Sequence, residues 1–164
     1  MEQFYTGLLE FSVTDRGQLD GPDGPMTLVF MSKNPEEHHQ VVLVSGRPDT
    51  SSFNPINQIS FKGESLAQLK RMYFRLVEAG VSDIDPVTHG NALSVYARDP
   101  EGNRIELFID LPWYVNQPFR VPVDLSLPEN EIMAAAEAHA RSLPGFRPRQ
   151  QWVQEMRRLM SAQE

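Results

Sequence analysis

The chain has 164 residues, 40% of them hydrophobic and 23% charged, which is enough for one full-sized core and short for two independent ones. A formal charge of −7, with 15 Lys and Arg spread along the sequence, argues against a nucleic-acid groove, and the absence of cysteine excludes disulfides, thiolate catalysis and Cys-type zinc sites. No apolar run approaches the ~20 residues that span a bilayer and no signal-peptide pattern opens the chain, so the expectation is a cytoplasmic protein without nucleic-acid or membrane partners.

Met1, Phe4, Tyr5 and Leu8 share one helical face and predict a short helix that begins without a capping side chain. Leu9 to Asp15 reads as a strand, Gly17 to Pro25 as a Gly- and Pro-rich loop, and Met26 to Ser32 as a second strand, with Thr27, Val29 and Met31 alternating with Leu28, Phe30 and Ser32. After a polar break at Lys33 to Glu37, His38 to Ser45 reads as a third strand that places the rings of His38 and His39 on opposite faces. Arg47 to Pro55 is loop, and Asn57 to Lys62 alternates Ile59 and Phe61 with Gln58 and Ser60.

The clearest helix runs from Ser65 to Ala79, with Leu66, Leu69, Met72, Tyr73, Leu76 and Val77 at helical spacing and Gly80 where a left-handed cap belongs. Val81 to Val87 is a short strand. Ala92 to Arg98 alternates Leu93, Val95 and Ala97 with Ser94 and Tyr96, the turn Asp99-Pro100-Glu101-Gly102 follows, and Asn103 to Asp110 opposes Ile105, Leu107 and Ile109 to Arg104, Glu106 and Phe108. This last strand aims the Glu106 carboxylate off the core side. The second part therefore reads β-α-β-β-β, and the first α-β-β-β, the same unit without its leading strand.

From Leu111 the texture changes to an extended segment with Pro112, Pro118, Pro122 and Pro128 that carries Trp113, Tyr114 and Phe119 and is expected to pack its aromatics on the domain. Ser126 and Glu129 have capping-box spacing and predict a helix from Leu127 to Leu143. A second helix follows Pro148, with a stripe of Trp152, Val153, Met156, Leu159 and Met160.

Five polar side chains are candidates for chemistry: His39, Gln58 and Glu106 on strand faces, Tyr96 beside Glu106, and His89 before Tyr96. Taken singly, each has an ordinary role as a solvated carboxylate, a core aromatic or a turn residue. Together, His89, Val95-Tyr96, Asp99-Pro100, Gly102 and Glu106 resemble the signature of extradiol ring-cleavage dioxygenases. The paired β-α-β-β-β layout is similar to their wider superfamily, the vicinal oxygen chelate proteins, which includes glyoxalase I and bleomycin-resistance proteins.

The resemblance implies an α+β fold of paired βαβββ modules forming a concave mixed sheet over residues 1–110, with modules at about 1–46 and 56–110. The first module lacks its leading strand, and residues 111–164 form a Pro-rich wrap with C-terminal helices. It implies Fe(II) or Mn(II) held by two His and one Glu, with Glu106 matching the carboxylate ligand and Gln58 standing where a His ligand belongs. An amide oxygen is a weaker ligand than imidazole. His39 matches the acid/base His, and Tyr96 and His89 match residues that hydrogen-bond the substrate oxygens. The expected activity is ring cleavage of a catecholic aromatic. The alternatives are a non-catalytic binder of an aromatic or apolar molecule that has lost the metal, or a glyoxalase-like lyase or isomerase. The missing strand is explained by a fragment or an internal Met start, the favoured account, or by a partner chain in a homodimer.

Overall fold

The alternation at the start of the chain folds into an antiparallel meander, β1 (Ser12–Gly21), β2 (Gly24–Ser32) and β3 (Val41–Val44), in that spatial order. A computed structural model describes residues 1–21, 24–34, 36, 38–47 and 58–161. The chain divides into two compact units, Met1–Asn57 with Asp99–Asn103, and Gln58–Arg98 with Arg104–Glu164.

In the first unit the first strand is longer and later than its local sequence predicts, the second starts two residues earlier, and the third is shorter. Residues 17–21 and 24–25, read as loop, are the arms of a hairpin in which Gly17 pairs with Leu28, Asp20 with Pro25 and Gly21 with Gly24. Pairing with a partner strand overrides the weak strand preference of Gly and Pro at a hairpin end; Pro22 and Asp23 lie outside the described residues. Leu9 and Phe11, read as the start of the strand, are buried residues flanking Glu10, whose positive φ of 62° breaks the extended chain. The predicted helix is a π-helical turn, Phe4–Leu8, that seats Tyr5 edge-on against Phe4 and Phe11. The Tyr5 hydroxyl donates to Asp99 Oδ2 at 3.3 Å, and burial, reinforced by that carboxylate, holds its proton well above the usual phenol range. Asp99 also caps its own turn, accepting from the backbone N–H groups of Glu101 and Asn103.

The third strand begins only at Val41, so His38 and His39 stand before it and not on its two faces. Both rings lie against Phe30, with centroids 5.2 and 5.4 Å away, and their Nδ1 atoms are 2.9 Å apart. Most of the predicted loop, residues 48–55, and Asn57 of the next predicted strand lie outside the described residues.

The second unit holds a five-stranded mixed sheet in the order β4 (Ile59–Lys62), β7 (Arg104–Asp110), β6 (Ala92–Arg98), β5 (Asp85–Thr88) and β9 (Val121–Pro122). β4 runs parallel to β7 and every other pair is antiparallel. The parallel pair requires a crossover, supplied by α1 (Leu66–Glu78), which packs on β6 and β7. Ser65 caps this helix by accepting from Gln68 N, and Gly80, at φ 66°, ends it. β5 starts four residues later than predicted because the chain is still turning, with Val81 N bonded to Leu76 O and Asp83 at φ 56°. Leu66, Leu69, Met72 and Leu76 of the helix are buried, as are Leu93, Val95 and Ala97 of β6 and Ile105, Leu107 and Ile109 of β7. Each Leu, Ile, Val or Met side chain among these contributes roughly 1.5–3 kcal/mol when fully buried.

The C-terminal segment belongs to this unit. β8 (Trp113–Tyr114) pairs with β10 (Arg147–Pro148), and Tyr114 stacks on Trp152 of α3 (Arg149–Ser161) with ring centroids 5.1 Å apart. α2 (Glu129–Arg141) forms without the predicted capping box: Pro128 occupies the cap position, and the Ser126 hydroxyl donates to Asp124 instead. Glu129 and Glu131 in its first turn favour the positive end of the helix. The side chains of Leu159 and Met160 lie outside the described residues. Among the described residues no helix is long and apolar enough to cross a membrane.

Candidate functional site

Strand periodicity and register bring the polar side chains of three strands into one row. Ser60 of β4 pairs with Glu106 of β7, which pairs with Tyr96 of β6. Residues directly opposite on paired strands share a face, and those two positions away extend it. Ser94 and Gln58 therefore join the row.

Glu106 is the centre of this row and is buried, at 8% exposure. Although its side chain leaves the apolar face of β7, as alternation predicts, it does not enter solvent. Its Oε1 accepts from Ser94 Oγ at 2.9 Å and Tyr96 OH at 2.8 Å; its Oε2 accepts from Gln58 Nε2 at 2.9 Å and Ser60 Oγ at 2.5 Å. A carboxylate offers about four lone-pair directions, and four neutral donors occupy them. That saturation is what lets a carboxylate remain under the surface.

Tyr96 links the carboxylate to His89. The His89 Nε2 lies 2.9 Å from the Tyr96 hydroxyl and 4.0 Å from Glu106 Oε1, while its Nδ1 lies 2.9 Å from the Phe119 carbonyl oxygen. A carbonyl only accepts, so Nδ1 carries a proton. The Tyr96 hydroxyl donates its proton to Glu106 Oε1 and presents its oxygen to His89 Nε2. Burial, together with the hydrogen bond to Glu106 and its charge, pushes the Tyr96 phenol up to about 12. The Arg104 guanidinium, 4.2 Å from the centre of the Tyr96 ring, acts in the opposite direction.

Of the five residues read from the sequence, the structure brings Gln58, His89, Tyr96 and Glu106 together in the second unit. His39 lies in the first unit, exposed, and its described contacts are with Phe30 and His38. Sequence reasoning missed Ser60 and Ser94, although both sit two positions from residues it chose and so were signalled by strand periodicity. The backbone carbonyl of Phe119 left no signal in side-chain identities.

The donor set, as folded, does not fit Fe(II) or Mn(II). Such an ion is held in enzymes of this chemistry by two imidazoles and a carboxylate, whereas here the carboxylate lone pairs are taken and Gln58 turns its N–H, not its oxygen, toward Glu106. Among the described residues no group of three or more His, Cys, Asp or Glu is placed to hold a metal. This unit also carries an open groove of about 570 Å³ flanked by Pro112, Arg149, Val153 and Arg157, and a smaller one of about 140 Å³ between β9 and α2, lined by Thr88, Val121, Ile132, Ala136 and His139.

Residues 1–107 match the family model of the Glyoxalase/Bleomycin resistance protein/Dioxygenase superfamily. Two biphenyl-2,3-diol 1,2-dioxygenases of Rhodococcus globerulus are similar to the chain, one 38% identical over 80 residues and the other 33% identical over 79, each match covering 46% of this chain. The chain spans 42% of the length of each of these relatives. Among solved structures, the glyoxylase/bleomycin resistance protein/dioxygenase domain from Frankia sp. EAN1pec aligns with a TM-score of 0.52 and 20% identity, over 66% of this chain and 85% of that one, a likeness of fold.

Proposed function

The chain belongs to the Glyoxalase/Bleomycin resistance protein/Dioxygenase superfamily, and we propose that within it this protein recognises a catechol-type aromatic diol, in the manner of an extradiol ring-cleavage dioxygenase. The observation that carries this reading is the continuous row of hydrogen bonds from His89 through Tyr96 to Glu106. A vicinal diol presents two adjacent hydroxyls, each able to donate and accept, and this row offers matching groups. Tyr96 and His89 hydrogen-bond the hydroxyls, and Glu106 orients Tyr96 by accepting its hydrogen bond. Similarity to two biphenyl-2,3-diol 1,2-dioxygenases supports the choice of an aromatic diol.

A second reading, diol binding without ring cleavage, is favoured by the four neutral donors on Glu106. Iron or manganese would supply dioxygen activation in an extradiol reaction. The residues on β4, β6 and β7 do not supply its three-ligand site.

The test is titration with 2,3-dihydroxybiphenyl, followed by calorimetry, first without added metal and then with Fe(II) under anaerobic conditions, with dioxygen admitted last. Saturable binding that is weakened about tenfold by Tyr96→Phe or His89→Ala is the expected result. Coloured ring-fission product and dioxygen uptake with Fe(II) would support the enzyme reading, and binding without product the second. No binding in any arm sinks both.

A further inference from the structure

The matched family region ends at residue 107, yet the groups that hold His89 come from beyond it. We infer that the segment Trp113–Phe119 is a positioning element for the site, and that Gln117 and the Phe119 carbonyl set which face and which nitrogen His89 presents to Tyr96.

The turn His89-Gly90-Asn91 is gripped at successive points. Trp113 Nε1 donates to Gly90 O at 2.5 Å, and Gln117 Nε2 donates to His89 O at 2.7 Å and, more distantly, to Asn91 Oδ1 at 3.2 Å. The other end of the same amide, Gln117 Oε1, accepts from Phe119 N at 3.1 Å. Gln117 thus ties the backbone of His89 to the backbone of Phe119. The Phe119 carbonyl is thereby fixed 2.9 Å from His89 Nδ1. There is no slack in this clamp: a Cβ on Gly90, whose φ is 77°, would lie 2.5 Å from Val115 Cγ2 and 3.3 Å from the Phe119 ring.

The consequence is chemical. In water the neutral imidazole exchanges its proton between two nitrogens. Against a carbonyl that can only accept, Nδ1 must keep a proton, and Nε2 is the nitrogen left to exchange protons with Tyr96. Gln117 touches neither Tyr96 nor Glu106 in the described contacts, so its influence on the row passes through His89. That His89 meets a diol rests on the proposed function; the orientation of its ring does not.

Long-range proton–nitrogen correlation spectra of the histidine rings, at one fixed pH without ligand or metal, read the ring directly, with His89→Asn assigning the signal. The expected spectrum of the unsubstituted protein shows a proton-bearing Nδ1 at His89. Gln117→Ala is expected to move both ring nitrogens toward exchange-averaged positions and to weaken binding of 2,3-dihydroxybiphenyl about tenfold. A bare Nδ1 with a protonated Nε2 in the unsubstituted protein would overturn the inference, as would a folded Gln117→Ala variant with unchanged His89 nitrogens. If Gln117→Ala does not fold, the spectrum of the unsubstituted protein decides alone. A protonated Nδ1 in a protein that binds no diol would remove the proposed function and leave the positioning role standing.

Discussion

The two units each contain an antiparallel meander, β1–β3 in one and β5–β7 in the other, and each unit buries a carboxylate, but Asp99 of the first lies in a turn whereas Glu106 of the second lies in the middle of a strand. The last strand of the second meander, β7, pairs on its outer side with the parallel strand β4; β3 has no such neighbour among the described residues. Ser60 of β4 and Gln58, which immediately precedes that strand, reach Glu106 from one side, while β6 brings Ser94 and Tyr96 from the other. A charge can be buried when donors reach it from both neighbouring strands. The histidines preceding β3 stay exposed and find each other and Phe30.

The sharpest break of this contrast is Glu106→Ala. It orphans four donors and leaves a gap in β7, and an expected loss of about 3–4 kcal/mol would appear as a lower urea midpoint. Gly90→Ala tests the clamp behind the same row, and forcing a Cβ against Val115 at a positive φ should cost about 2–3 kcal/mol in the same measurement. At Gly80 the added Cβ meets open space, so Ala there should cost about 1 kcal/mol from backbone conformation alone.

Tyr96→Phe removes one donor and should cost about 1–2 kcal/mol near neutral pH. It should also change the alkaline limb. The Tyr96 phenol is raised in the folded chain to about 12 from an ordinary value of 10.0. Its contribution is therefore fully present below pH 10 and is lost as pH rises toward 12, where the unfolded chain ionises first. Unfolding midpoints measured across that window should fall by roughly 2–3 kcal/mol less in Tyr96→Phe than in the unsubstituted protein. Ser65→Ala, which removes the cap of α1, should cost about 1 kcal/mol by the same assay. His39→Ala, on the exposed side of the comparison, should change stability by less than about 0.5 kcal/mol. A loss near that of Glu106→Ala would overturn the contrast between the two units.

The amino-acid sequence by itself determined the elements whose signals are local. Alternation set β6 with the bounds the structure shows, and Ser65 and Gly80 bracketed α1, because a pleated strand repeats every two residues and a helix end needs its orphan groups satisfied. The signature around Tyr96 and Glu106 identified the family region for the same reason, its spacing being that of one turn and two strands. Tertiary structure alone decided the rest. Gly17 to Gly21 became strand through its partner β2, and the Ser126 hydroxyl turned to Asp124 although its spacing suited a capping box. Glu106 became buried because β4 and β6 both deliver donors to it, and His89 was oriented by a backbone carbonyl thirty residues away. Contacts between residues distant in sequence have no period to read, and a carbonyl oxygen is the same in every residue.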